Sequence, residues 1–319
     1  MLDSPVLLEI VMLRYTLSRT AQMVVVVFGV VTLVFFILRF ASGDPARMMN
    51  PPGQVEDIIQ LTREKIGTDK PLMVQYWNYV LGLAQGDLGN SFHGGHPVLN
   101  ELLKAFPNTA MLAVVTILFS STIALILGTG AALNANGAFD RLVLVYVAAA
   151  LATPSFWLGI VLVLIFAIKL DWLPAIDMEG PKSFVLPVIT LAVMLTPVLI
   201  RTVRQSYLET LSDDHIRAAR ARGIPERRVI LVHGLKVAAL PLVTLIGLQL
   251  GMILAGSYVV EHIFNWPGIG KLTLDAVAGR NFPMIQGGVL FAALAFVIIN
   301  FLVDLVYAAL DPRIRMGVK

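Results

Sequence analysis

Six runs of apolar residues, each near the length of a bilayer-crossing helix, dominate the hydrophobic pattern, at about 20–38, 108–133, 142–168, 183–200, 237–260 and 286–309. A hydrocarbon core of ~30 Å takes about 20 helical residues to cross. Unpaired backbone groups are costly in lipid, so the runs are expected as helices, and they lack the two-residue alternation of barrel strands. Pro154, Pro187 and Pro197 fall inside or at the edges of the third and fourth runs. Kinks are expected there, with neighbouring helices satisfying the freed carbonyls. The first run follows Arg14 and Arg19 as a signal peptide would. It is too long for an apolar signal core and lacks a small-residue cleavage pattern, so it reads as a retained span.

Two intervening segments carry structure of their own. In the 39–107 loop, Pro51, Pro52 and Gly53 make a break, and 55–65 reads as a short helix with Glu56 and Asp57 at its positive end. An amphipathic stretch follows over 71–83, with Pro71 at a first helical position. In the 211–236 loop, Ser212 or Asp213 caps a helix that runs to Arg222, with Asp213 and Asp214 early and Arg220 and Arg222 late. Gly223 stops it, and Pro225 begins a second helix with Glu226 in its first turn. Ala218, Ala219 and Ala221 keep the surface of the first helix low, so that a partner can approach the backbone.

Composition agrees with lipid as solvent: 57% of the 319 residues are hydrophobic and 14% charged, with a mean hydropathy of +0.80. The net charge of +3 is spread beside apolar runs rather than over one basic face, which argues against nucleic acid. Cysteine is absent, which excludes disulfides and thiolate chemistry. In the short loops and tails, 14 Lys and Arg fall on the side of the N-terminus and 4 on the other. Both termini are therefore expected in the cytoplasm.

Enzyme chemistry finds no anchor. The run Gly268-Ile269-Gly270-Lys271-Leu272-Thr273 imitates a phosphate loop, but the first glycine of the motif is missing and Leu272 stands where Ser or Thr must reach magnesium. His93 and His96 have no third ligand at metal-motif spacing. Neither a zinc-protease pattern nor a nucleophile elbow occurs. Inside the apolar runs the only ionisable residue away from an edge is Asp304, read as an end-of-helix side chain reaching the interface rather than an ion-coupling carboxylate. A secondary transporter would carry more such groups.

Ala218-Ala219, Gly223 and Leu240-Pro241 resemble the Glu-Ala-Ala…Gly…Leu-Pro signature of the permease family of type I ATP-binding-cassette importers. Arg217 stands at the Glu position and the Gly-to-Pro interval is longer, both like the dipeptide, oligopeptide and nickel branch. Its B-type permease is also similar at Gly43-Asp44-Pro45, Gly67, Asp69-Lys70-Pro71, Gln75-Tyr76, Gly86-Asp87-Leu88-Gly89, Ser91-Phe92, Pro107 and Thr109. Further likenesses are Glu261, Phe264, Trp266-Pro267-Gly268, Gly270, Arg280, Pro283 and Leu310-Asp311-Pro312-Arg313.

The resemblance implies an all-α integral membrane fold with six transmembrane helices and a small external helical loop region, 39–107, within a single permease domain, 1–319. It implies a subunit of the bacterial inner membrane forming half of a pathway for di- or oligopeptides, with nickel chelates, glutathione or another small solute as alternatives. Implied partners are a second homologous permease, two ATPase subunits, an external binding protein and membrane lipid. The chain itself would bind no cofactor or metal, with ATP and Mg held by the ATPases. Asp214, Arg217, Ala218, Ala219, Arg222, Gly223, Pro225 and Pro241 would couple to an ATPase through the 211–236 loop. Glu261, Phe264, Pro267, Gly268 and Gly270 would form an external gate or binding-protein contact. Because the chain has no cysteine, single cysteines at Asn90 and Ser212 report topology directly. The first should react with an impermeant maleimide from outside and the second only from inside; reaction of both from one face would overturn the arrangement.

Overall fold

The computed structural model describes residues 5–41, 44, 46–47, 50, 53–175, 180–238 and 240–310. In chain order its helices are α1 (Pro5–Ala41), α2 (Glu56–Ile66), α3 (Leu72–Ala84), α4 (Val98–Leu133), α5 (Ala138–Ala152), α6 (Ser155–Leu162), α7 (Val185–Ser212), α8 (Asp214–Ala221), α9 (Glu226–Arg228), α10 (Leu240–Gly256), α11 (Tyr258–Ile263), α12 (Ile269–Ala278) and α13 (Phe282–Leu310). π-helical turns extend α6 over Val163–Lys169 and follow α9 over Val229–Gly234, and a further one-turn α-helix over Leu235–Ala238 follows the second of them. Among the described residues, the only strand-type pairing is an isolated bridge between Asn90 and Pro97. Gly43, Pro45 and the 311–319 tail lie outside the described residues, as does the side chain of Asp304.

The apolar runs take three forms. Stretches within α1, α4, α7 with its preceding turn, and α13 are long and apolar enough to cross a bilayer unbroken. The third run is instead a broken pair, with α5 and α6 meeting at 99° across Thr153 and Pro154. Pro154 lacks an N–H and disfavours helical backbone at Thr153, which is extended at φ −93° and ψ 117°. The fifth run is carried by α10, whose 17 residues span ~26 Å at ~1.5 Å per residue. Pro187 and Pro197 lie within continuous α7. The expected short helix after Pro225 does not stand alone, because α9 runs straight into the π turn. Pro71 and Pro225 are cap residues just outside their helices rather than first helical residues.

Two compact units divide the chain, one comprising 1–109 and 267–297, the other 110–266 and 298–319. In the first, Val98, Leu102, Ile269, Ala276, Phe282, Met284 and Ile285 form a buried cluster, with Leu38, Leu88 and Phe92 packed against it. Asn281 fixes the loop before α4: its amide oxygen accepts from Phe92 N–H at 3.0 Å and its nitrogen donates to Ser91 Oγ at 2.7 Å. Arg63 ties Asp44 to Glu56. Tyr76 and Tyr79 pack on Phe35 of α1, and burial pushes the Tyr79 phenol up to about 12.

In the second unit α7 is the central helix, burying residues along its whole length from Leu186 to Thr210. Tyr146 of α5 and Thr196 of α7 share a hydrogen bond of 2.7 Å. Close approach is built on glycine. A Cβ at Gly128 would lie 2.8 Å from Val203, and one at Gly247 would lie 2.0 Å from Val303. Small residues at such crossings let helix backbones approach where lipid supplies no hydrophobic drive.

The same device in the first unit gives a test. A Cβ at Gly288 of α13 would lie 2.2 Å from Thr273 Oγ1 and 3.1 Å from that residue's Cβ. Gly288→Ala should destabilise by roughly 1–3 kcal/mol through overpacking, read as a lower unfolding temperature in detergent. Gly29→Ala, with nothing within 4 Å, should not lower it. Equal behaviour of the two variants would contradict the tight crossing.

Candidate functional site

The 211–236 loop is organised by how its helices end. α7 stops at Ser212, and Asp213, extended at φ −69° and ψ 151°, turns the chain into α8. Asp213 occupies the cap position without a side-chain capping bond; its carboxylate lies 3.6 Å from His215 Nδ1. At the other end Gly223 has φ +73°. Its N–H donates to Arg220 O at 2.9 Å, and Ile224 N–H reaches back to Ala219 O at 3.3 Å. This bonding pattern is a Schellman cap, which needs a left-handed residue and therefore favours glycine.

A small core holds the turn. Ile216, Ala219 and Val229 are buried together, with Ile224 packed against them. Across it Arg220 forks onto Glu226, with Nη2 at 2.7 Å from Oε1 and Nε at 3.1 Å from Oε2. The guanidinium bonds hold the Glu226 carboxyl below the usual carboxylate range, so the clamp forms above that range and is lost as pH falls through the lowered value. At the base of the loop, the Tyr207 hydroxyl donates to Ile230 O at 2.5 Å, a carbonyl of the π turn. A Cβ at Gly234 would meet that hydroxyl at 3.0 Å.

The face of α8 turned away from this core holds Asp214, Arg217, Ala218, Ala221 and Arg222, all exposed. Their spacing is that of one helical face: a patch lowered by alanine and edged by two arginines. Ala219 faces inward, so it supports α8 instead of lying on that face. Gly223 and Pro225 are exposed at the turn, and Pro241 is exposed at the start of α10. Of the residues expected to couple, five therefore surround one protrusion at α8 and its turn (Asp214, Arg217, Ala218, Arg222 and Gly223), with Pro225 beside them.

The proposed gate run divides between the two units. Glu261 and Phe264 belong to the second, where both are buried. Ser257 Oγ donates to Glu261 Oε1 at 2.5 Å, and Trp266 packs edge-on against Phe184 at 4.6 Å. Pro267, Gly268 and Gly270 belong to the first. There Asn108 donates to Pro267 O at 2.8 Å, and Thr109 Oγ1 accepts the Ile269 N–H at 2.9 Å. Gly268 is the cap residue of α12, so a first N–H of the phosphate-loop lookalike is already occupied by a threonine. His93 and His96 line a cleft of about 270 Å³ with Glu101 and Asp275. Among the described residues no group of three or more such ligands converges on a metal position.

One pair escaped the sequence reading. Asp140, 1% exposed, receives Arg204 Nε at 2.7 Å and Nη2 at 2.7 Å on its two oxygens, and accepts the Asn136 N–H at 2.9 Å. This buried fork joins α5 to α7 three residues before Tyr207. A signal was available: opposite charges stand just outside the third and fourth apolar runs, at ends that antiparallel neighbours bring together.

Comparison with known proteins adds two findings. Residues 120–316 match the family of binding-protein-dependent transport system inner membrane components, and residues 12–113 match the N-terminal region of such components. The chain is also 39% identical over 304 residues to the glutathione transport system permease protein GsiC of Salmonella typhimurium, covering 95% of this chain and 99% of the relative. The protein of the same name from Escherichia coli K12 is 38% identical with the same coverage.

Removing one member of the buried fork should be costly. Arg204→Met leaves the Asp140 carboxylate unpaired and should destabilise by about 3–5 kcal/mol, whereas the double change Asp140→Leu with Arg204→Met should recover much of that loss. Thermal unfolding of the parent, of Asp140→Leu and Arg204→Met singly, and of the double variant in detergent measures the coupling. Additive losses would remove the pair from the account.

Proposed function

The chain belongs to the binding-protein-dependent transport inner membrane components and is a multi-pass permease subunit of an ABC importer, and we propose that it carries short peptides, glutathione first among them. Permeases of this kind work with ATPase and binding-protein partners. We assign to this one a second homologous permease and two ATPase subunits that hold ATP and Mg, both termini in the cytoplasm, and no catalytic role of its own. The names of the glutathione permeases support the cargo, and glutathione is itself a small peptide.

The observation that carries the coupling role is the protruding α8 face. It is exposed, low at Ala218 and Ala221, and edged by Arg217 and Arg222, and its base is braced by the Ile216–Ala219–Val229 core and the Arg220–Glu226 clamp. A force applied to α8 reaches α7 directly and α10 through the π turn. Docking of an ATPase against this face would pass nucleotide-driven movement to the helices that line the pathway. Glu261, buried inside its unit, would act by shaping the outer end of α10 rather than by touching a binding protein.

Gly223 supplies the test. Nothing lies within 4 Å of the position its Cβ would take, so Gly223→Val carries only the left-handed backbone penalty, on the order of 1–2 kcal/mol. Gly67 ends α2 with the same bonding pattern at φ +70°, also in open space, and Gly67→Val is the matched control. Both variants should reach the membrane. Only Gly223→Val should lose glutathione uptake and the ATP hydrolysis stimulated by loaded binding protein. Parent-like uptake in Gly223→Val would refute the coupling role, and stimulation of the parent by a different solute alone would refute the cargo.

A further inference from the structure

α3 has the composition of a membrane segment and the length of a loop helix. Its 13 residues include no Asp, Glu, Lys or Arg. One side packs on α1, where Tyr76 is buried, shares a 2.8 Å hydrogen bond with Thr32 Oγ1 and stacks on Phe36 at 5.4 Å. The other side exposes Met73 (60%), Val74 (42%), Trp77 (53%) and Leu81 (58%), the spacing of one helical face. In water, that face would forfeit the burial of four large apolar side chains. α2, by contrast, carries Glu56, Asp57, Arg63, Glu64 and Lys65 over 11 residues, as a helix in water does.

Depth decides what covers the face. α1 is the least enclosed of the unbroken spans, with 11% of its apolar window buried, and Leu33, Ile37 and Phe40 are exposed on it. α3 meets α1 at Thr32, Phe35 and Phe36, centred about six residues inside Phe40, or about 8 Å at ~1.5 Å per residue. A ladder of rings runs from exposed Phe40 through Phe36 and Tyr76 to exposed Trp77, with centroids 6.0, 5.4 and 5.4 Å apart. The apolar face of α3 is therefore continuous with the lipid-facing surface of α1. An interfacial helix buries its apolar face ~5–10 Å below the headgroups, and Trp favours that level.

We infer that α3 is an interfacial anchor, seated at the boundary of headgroups and acyl chains with Met73, Val74, Trp77 and Leu81 in lipid. This placement rests on the membrane-permease reading. It removes α3 from the surface left for the binding protein, while charged α2 remains above the bilayer. Lipid contact at α3 also holds the outer end of α1 through the Tyr76 and Tyr79 packing.

The absence of native cysteine makes the test direct. Nitroxide labels at single cysteines replacing Leu33, Leu61, Met73, Trp77 and Leu81 are placed in the whole transporter, reconstituted in phosphatidylethanolamine–phosphatidylglycerol vesicles. Relaxation by oxygen relative to a water-soluble nickel chelate is then measured. Leu33 should favour oxygen and Leu61 the chelate, which checks the membrane reading by itself. Met73, Trp77 and Leu81 should each favour oxygen several-fold over Leu61. If Leu33 behaves as expected while the α3 labels favour the chelate, α3 lies in water and the inference fails. Shielding of the α3 labels from both reagents would mean that a protein partner covers the face, which equally overturns it.

Discussion

A backbone N–H or C=O in hydrocarbon has no water to turn to, and most of this structure follows from that constraint. It makes the apolar runs helical and sends the irregular segments to places where protein can complete them. The two π turns illustrate this. Each interrupts the regular ladder, and at Val229–Gly234 the hydroxyl of Tyr207 bonds the Ile230 carbonyl. Helix ends outside the spans close themselves, with the same reciprocal backbone bonds after α2, α8, α11 and α12. Arg280 and Asn265 adopt the left-handed position at two of those ends without being glycine.

Those closures brace the α8 loop from inside. Eight residues of isolated helix would not persist in water. α8 persists because its turn is bonded at Gly223, its inner face is packed on Val229 and Ile224, and Arg220 reaches Glu226 across the turn. In the coupling role proposed for it, such bracing would pass displacement on where a soft loop would absorb it. The buried Asp140–Arg204 fork serves α7 in the same way, fixing it to α5 near the point where the loop departs.

Glycine contacts set the helix packing. Gly128, Gly247, Gly287 and Gly288 each sit where a Cβ would meet another side chain at 2.8 Å or less. Lipid tails are as apolar as leucine, so close van der Waals approach replaces the hydrophobic drive that packs a soluble core. α1 stands apart from this scheme, with only 11% of its apolar window buried within the chain and with α3 packed against it near one end.

The amino-acid sequence by itself determined the membrane class, the positions of the six apolar runs, the two helices of the 39–107 loop and the stop at Gly223. Each depends on local chemistry: apolar length, charge near helix ends, or a residue with special backbone freedom. Tertiary structure alone decided that the third run is broken at Pro154 while Pro197 is carried within a helix, because the outcome depends on the partners available to the freed carbonyls. It alone paired Asp140 with Arg204, turned Ala219 inward, buried Glu261 and placed Thr109 over the start of α12. Those contacts join residues up to 160 positions apart, and local pattern carries no record of which distant side chain the fold will bring near.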